Sequence, residues 1–352
     1  MRKRIRGNLL RALKTGGAFD RARDSNWRRR RLLILCYHSF AIDDENLWRP
    51  ALFLAPARLR ERFELLKQGG YNVLPLAEAL QRLRGNDLPP RSVVLTFDDG
   101  TYDFHNLAYP MLKEYGFPAT VYQTTHYSSR RIPIHSLICS YMLWKKRDTV
   151  LKATPAIGVE RDINLASPDA RKAALNQVEV FADREQLSTD RKNDLAAELA
   201  RSLGIDYDEL IRKRIAQLMS PEEIAELAAA GINFELHTHR HRTPRDRTLF
   251  EKEIVDNRNA IEAITKTRVS HFCYPSGDYD LVFLPWLAEL GVASATTGDP
   301  GLASTASNPL LLPRFIDTTA QTELEFESWL TGIGELISAK AQTARLRHLV
   351  HL

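Results

Sequence analysis

Cysteine is nearly absent from this 352-residue chain: Cys36, Cys139 and Cys273 are the only three, and they lie far apart. An odd, scattered set gives no disulfide framework and no cysteine-rich zinc pattern, so buried free thiols in a reducing compartment are expected. Long apolar runs are missing as well. None approaches the roughly 18 residues that a membrane-spanning helix needs. The basic start is not followed by the apolar stretch of a secretory signal. A cytoplasmic protein is therefore expected, with at most a peripheral place at the inner membrane face. The compositional biases of disordered, collagen-like or coiled-coil chains are absent too. With 44% hydrophobic residues, the chain can build one large α/β domain with insertions, or two domains.

The positive charge sits at one end. Residues 1–31 hold twelve Lys or Arg and two Asp, while the remainder has 37 basic and 42 acidic residues. The body is thus mildly acidic, which argues against a nucleic-acid groove. In the basic segment Ile5, Leu9, Leu10 and Leu13 fall at helical spacing among arginines and lysines. That pattern suits a short helix lying on an anionic membrane surface, or equally a solvated end.

From Leu32 the chain alternates strand and helix. Leu32–His38 reads as an apolar strand, 56–68 and 76–84 as helices, Val93–Thr96 as a buried strand, 104–115 as a helix and Ala119–Thr124 as a strand. The alternation resumes with Ser220-Pro221-Glu222-Glu223, a capping-box signature opening a helix that ends near Gly231. Strands at 232–236, 269–274, 292–296 and 310–316 follow, with helices at 249–264, 281–290 and 322–338. This rhythm marks a parallel sheet or barrel. Between 127 and 216 it fails. That stretch lacks a clear strand and reads as a helical insertion, with Leu195, Leu199 and Leu203 at spacing four.

Two strand ends carry chemistry. Val93–Thr96 runs into Asp98 and Asp99, and Gly100 permits a sharp turn. Adjacent side chains on an extended segment face opposite ways, so the two carboxylates need not share a task; a surface turn would also use Asp and Gly. Ile232–Leu236 runs into His237 and His241. Four residues of extended strand would hold those imidazoles about 13 Å apart, whereas a coiled turn puts them on one face. Parallel strands present their carboxyl ends together, where barrel active sites sit. Two His and one carboxylate with an open position form a catalytic zinc set, and the set also fits other divalent metals.

The segments Thr96-Phe97-Asp98-Asp99-Gly100, His237-Thr238-x-x-His241 and Tyr274-Pro275-x-Gly277 resemble, in order, the motifs of the polysaccharide deacetylase family, carbohydrate esterase family 4 with the NodB homology domain. Tyr37-His38, Ala119-Thr120 and Leu312-Pro313-Arg314 agree at the flanks. The resemblance covers about residues 32–126 and 217–335. It implies an irregular (β/α) barrel of the NodB homology type, here carrying a helical insertion. It implies a divalent metal, usually Zn2+, on Asp99, His237 and His241, with Asp98 as general base. The reaction implied is removal of N-acetyl groups from an amino-sugar glycan. Cys273 stands where many relatives carry an arginine that orients the base, and the late histidine that serves as general acid is missing. His38 and His271 are the candidates for that acid, and Tyr274, His38 and Arg314 for contact with substrate, Arg314 alternatively for contact with a carboxylate.

The organisation expected is a basic segment 1–31, a barrel over 32–126 and 217–340, an insertion 127–216 and a tail 341–352. The partner expected is an N-acetylated glycan or lipid-linked saccharide, with peripheral membrane contact through 1–31. Two alternatives stand beside this: a deformylase or other amidase acting on a lipid-linked amino sugar, and an inactive glycan-binding relative.

Overall fold

A computed structural model describes residues 2–338; the tail expected at 341–352 lies outside the described residues. Short runs of β-branched and large apolar side chains form one sheet. Its strands are β1 (Leu33–Tyr37), β2 (Asn72–Val73), β3 (Ser92–Phe97), β4 (Thr120–Gln123), β5 (Asn233–Leu236), β6 (His271–Cys273), β7 (Ser294–Thr296) and β8 (Phe315–Ile316). Their order is β7-β6-β5-β4-β3-β1-β8, with β2 branching from β3, and every pairing is parallel.

The sheet curls until its edges are bridged by one segment. Leu312 N–H donates to the Ala295 carbonyl at 2.8 Å and Thr297 N–H to the Leu312 carbonyl at 2.9 Å. Three residues later Phe315 pairs with Leu35 of β1. The expected irregular (β/α) barrel is the fold observed. Helices Pro56–Gln68, Pro221–Ala229, Arg247–Thr265, Phe283–Glu289 and Glu323–Thr331 pack outside it. Ser220 caps its helix as the sequence predicts: its hydroxyl accepts the Glu223 N–H, and the Glu223 carboxylate accepts the Ser220 N–H at 2.7 Å.

The period of two along each strand divides the side chains. Leu33, Leu35, Tyr37, Val93, Leu95, Phe97, Phe272 and Tyr274 join the core beneath the helices. Leu32, Ile34, Val94, Tyr122 and Cys273 face the barrel interior, whose amino end is closed by Leu80 and Leu83 of helix Leu76–Gly85. By the same alternation Cys36, Thr96 and Asp98 turn inward above them.

Between β4 and β5 the chain forms helices His135–Lys145, Pro168–Arg184, Thr189–Ser202 and Tyr207–Arg212, with an apolar cluster of their own around Ile138, Met142, Val178 and Leu199. A two-residue antiparallel pair, Val150–Leu151 with Ile163–Asn164, escapes the sequence reading because so short a strand shows no alternation.

The basic start is only partly a free surface. Helix Arg2–Thr15 buries Leu10 with Phe19 and Ile333, while Ile5 and Leu9 remain exposed. Arg28 is fully buried and donates to the carbonyls of Leu330 at 3.0 Å, Arg31 at 2.7 Å and Ser92 at 3.1 Å. Part of the apolar stripe expected to meet a membrane is therefore occupied by the protein itself. Among the described residues no helix is long and apolar enough to cross a membrane.

Candidate active site

Strand β3 delivers Asp98 into the barrel mouth, and the chain then turns through left-handed backbone at Asp99 (φ 69°) and Gly100 (φ 74°). Aspartate tolerates that region. A Cβ at Gly100 would also lie 2.0 Å from Gln123 Oε1, so a side chain there would displace the Gln123 amide. After β5 a similar turn, with Thr238 at φ 62° and His241 at φ 54°, coils the chain at once. The Thr238 hydroxyl accepts the Arg242 N–H at 3.0 Å and closes that turn.

These turns bring three side chains together. Asp99 Oδ1 lies 3.3 Å from His237 Nε2 and 3.1 Å from His241 Nε2. The Cys273 carbonyl, 2.8 Å from His237 Nδ1, can only accept, so that nitrogen carries the hydrogen. In the neutral imidazole Nε2 then presents a lone pair to a carboxylate oxygen. Asp99 Oδ1 is buried and has no hydrogen-bond partner. Lone pairs facing one another at this range require a cation or a shared proton between them. The three ligand atoms lie within 4.8 Å of one another, and a carboxylate with two imidazoles is a donor set that divalent zinc accepts.

Asp98 lives differently. Arg314 clamps it with Nη1 on Oδ1 and Nη2 on Oδ2, both at 2.7 Å. Burial alone would raise this carboxyl; the Arg314 charge and hydrogen bonds more than offset it and hold the group below the usual carboxylate range. Arg314 also donates to Thr96 Oγ1 at 3.2 Å, the Thr297 carbonyl at 3.0 Å and Cys273 Sγ at 3.0 Å. The small side chain at 273 leaves room for a guanidinium that arrives from the far end of the chain. Cys36 Sγ lies 3.5 Å and Cys273 Sγ 3.4 Å from Asp98 Oδ2.

His38 Nε2 stands 3.8 Å from Asp98 Oδ2 and shares a cavity of about 550 Å³ with Asp99 and His241. Two expectations are corrected, and of the two partners open to Arg314 the carboxylate is the one it meets. Tyr274 does not face this cavity: Cys273 points inward, so its neighbour points out. Its hydroxyl donates to the Leu310 carbonyl at 3.1 Å, and its N–H donates to the Thr296 carbonyl. Arg314 is 2% exposed and meets the Asp98 carboxylate rather than a substrate. His271 shares the inward face but sits at the start of β6, where Nδ1 is 2.8 Å from Ser294 Oγ. It lines a separate cavity of about 200 Å³ with Leu80, Arg84 and Leu312.

Two supporting residues escape the sequence reading. Asn257 accepts the His237 N–H at 2.9 Å and donates to the Gln123 carbonyl at 2.9 Å and Thr125 Oγ1 at 3.0 Å. Glu253, 1% exposed, accepts the Arg240 N–H at 2.8 Å and Arg242 Nε at 2.8 Å, pinning the histidine turn. The available signal was their position: they share the stripe of Phe250, Ile254 and Ile261 on one helix face, where only apolar residues belong unless a polar partner waits.

The sequence model described as polysaccharide deacetylase matches residues 85–162 and 184–295, more than half of the chain. The chain belongs to the polysaccharide deacetylase family. Over 94 residues, 26% of this chain, it is 31% identical to the poly-β-1,6-N-acetyl-D-glucosamine N-deacetylase of Escherichia coli (strain K12). The matched stretch is only 14% of that relative's length. The fold resembles Streptococcus pyogenes deacetylase PplD (TM-score 0.56, 20% identity, 86% of this chain and 97% of that one). It also resembles IcaB from Ammonifex degensii (TM-score 0.52, 16% identity, with the same coverage). At these identities the likeness speaks to the fold.

Proposed function

We propose that the chain is a metal-dependent carbohydrate N-deacetylase acting on an N-acetylated amino-sugar glycan. The barrel over 32–126 and 217–340 would carry the chemistry, and 127–216 would form one wall of the mouth. The observation that carries this reading is the orphaned Asp99 Oδ1 facing two imidazole nitrogens beside a carboxylate clamped by arginine. Asp99, His237 and His241 would hold the divalent cation, zinc by family habit. When bound it supplies Lewis acidity, polarising the amide carbonyl and making a water acidic near neutral pH. Asp98 takes the proton of the attacking water. The Arg314 clamp fixes both its oxygens and keeps it ionised in a buried setting, which lowers its basicity. His38, on the same cavity and 3.8 Å from Asp98, returns a proton to the departing amine. Glu253 and Asn257 hold the histidine turn in register.

The test is metal content by elemental analysis, with acetate release from N-acetylglucosamine oligomers, for wild type and His237→Ala. About one metal per chain, lost in the variant together with acetate release, is expected. Metal without acetate release would move the reading to another acyl group, such as formyl, or to a lipid-linked sugar. No metal in either protein would leave the glycan-binding alternative.

The exposed Ile5 and Leu9, with the surrounding basic residues, support peripheral contact with an anionic membrane surface. Removing 1–31 would also remove buried Leu10, Phe19 and Arg28, so Ile5→Ser combined with Leu9→Ser is the better probe. Co-sedimentation with anionic vesicles should fall in that double variant; unchanged co-sedimentation would end the idea.

A further inference from the structure

The mouth is electrically lopsided. Among the described residues Asp99 is the one carboxylate on the cavity lining, and its Oδ1 faces two imidazoles, while two arginines, Arg49 and Arg240, line the same space. Arg240 is neutralised locally: its Nη1 lies 3.2 Å from Glu253 Oε1 and 3.8 Å from Asp256 Oδ2. Arg49 is not. Among the described residues no carboxylate comes within 4 Å of its guanidinium; Glu179 attracts it only from farther off.

Arg49 is nonetheless held in place. Its carbonyl accepts the N–H groups of Leu52 and Phe53, both at 2.9 Å. Its guanidinium rests over the Trp48 ring at 4.8 Å. That indole packs in turn against Phe53, with centroids 5.8 Å apart, and against Tyr141 of the insertion at 5.3 Å. A planar cation is thus laid on an aromatic shelf at the rim, with its edge N–H groups open. An arginine so placed suits planar or tetrahedral oxyanions. An ordinary surface arginine would share the exposure but not the fixed shelf, the lack of a carboxylate in direct contact and the common cavity with Asp99 and His241.

We propose that the acetylated sugar is presented beside an anionic group, a glycosyl phosphate or a uronate carboxylate, and that Arg49 is the specificity residue that receives it. The inference rests on the deacetylase reading for the sugar and names the class of glycan that the mouth selects.

Calorimetric binding to the full chain tests it with matched probes. N-acetylglucosamine is compared with its 1-phosphate, and the neutral N-acetylglucosamine tetramer with a hyaluronan tetrasaccharide. Each is measured on wild type, Arg49→Gln and Arg49→Lys, and acetate release is followed alongside. At least one anionic probe should bind about tenfold tighter than its neutral match, as expected for a charge-assisted hydrogen bond. Arg49→Gln should erase that advantage, Arg49→Lys should keep part of it, and neutral probes should change less than about twofold. The pair with the larger advantage says whether phosphate or carboxylate is the natural anion. Equal binding within both pairs overturns the inference. So does an anion preference that survives Arg49→Gln, because it then belongs to the metal centre. Acetate release from every probe without anion preference would sink the inference alone. Arg49-dependent anion binding without acetate release from any probe would sink the deacetylase reading alone.

Discussion

Two buried arginines, one at each end of the barrel, show how differently a buried cation can be used. Arg28, near the amino ends of the strands, is surrounded by carbonyls: Leu330, Arg31 and Ser92 take its N–H groups. Nothing there is left for a ligand. Arg314, toward the carboxyl ends, spends two of its bonds on the Asp98 carboxylate, which in turn lies 3.8 Å from the mouth-lining His38. The histidines repeat the contrast. His271 hands Nδ1 to Ser294 Oγ within an apolar wall, whereas His237 hands Nδ1 to the Cys273 carbonyl and leaves Nε2 aimed at an oxygen with no other partner. Burial is shared by both ends; an unpartnered carboxylate oxygen faced by two imidazole nitrogens belongs to the carboxyl end.

The largest expected effect comes from removing each arginine in turn. Arg314→Met leaves Asp98 buried without its counter-charge. Urea unfolding should show a loss of about 3–5 kcal/mol, and acetate release per folded molecule should collapse. Arg28→Met removes a cation from among neutral carbonyls and should cost less, about 1–3 kcal/mol, with acetate release per folded molecule unchanged. If the Arg28 variant lost activity as steeply as the Arg314 variant, the division between structural and chemical ends would fail.

The difference between the ends also explains what the sequence can and cannot disclose. Asp98, Asp99, His237 and His241 are legible because each pair follows a strand directly, and parallel topology gathers strand ends. The alternation of β and α segments similarly exposes the barrel, and the cap at Ser220 is fixed by a local pattern within four residues. Arg314 is hidden for the opposite reason. Its partner lies more than 200 residues away, and only the closure of the sheet by the 309–316 segment brings them together. Cys273 reads as a departure from the family pattern, yet its small volume is what admits that guanidinium. Tyr274 misleads because a motif names a neighbourhood and not a direction; the period of two along β6 sends it outward. Glu253 and Asn257 are hidden because their value lies in which face of a helix they occupy. The insertion shows helices in its periodicity, but nothing in that pattern says that Ile134 and Leu137 will line the mouth.

A smaller effect sharpens the comparison at the amino end. Burial lowers His271 to about 4, with Arg84 adding to the shift, against an ordinary value near 6.5. Between those two values the unfolded chain binds a proton that the folded chain refuses, so this residue's contribution is full above about pH 6.5 and is lost as pH falls toward about 4. His135, likewise lowered to about 4 by burial, acts in the same direction. Asp103, raised by burial to about 8, acts in the opposite one, favouring the folded state at lower pH. A single acid-unfolding curve mixes these with further groups, among them Glu235, which burial raises to about 7. The stability difference between wild type and His271→Asn isolates one of them, because the other groups titrate equally in both proteins. Asparagine keeps a polar atom toward Ser294 and cannot take up the proton. The difference should be flat from pH 8 to about 6.5 and then shift toward the variant by on the order of 1–3 kcal/mol by about pH 4. Acetate release at neutral pH should be unchanged. A flat difference across the whole range would mean that His271 takes up its proton in the folded state as readily as in the unfolded one. The amino-end cavity would then be wetter, and closer in character to the mouth, than its apolar lining implies.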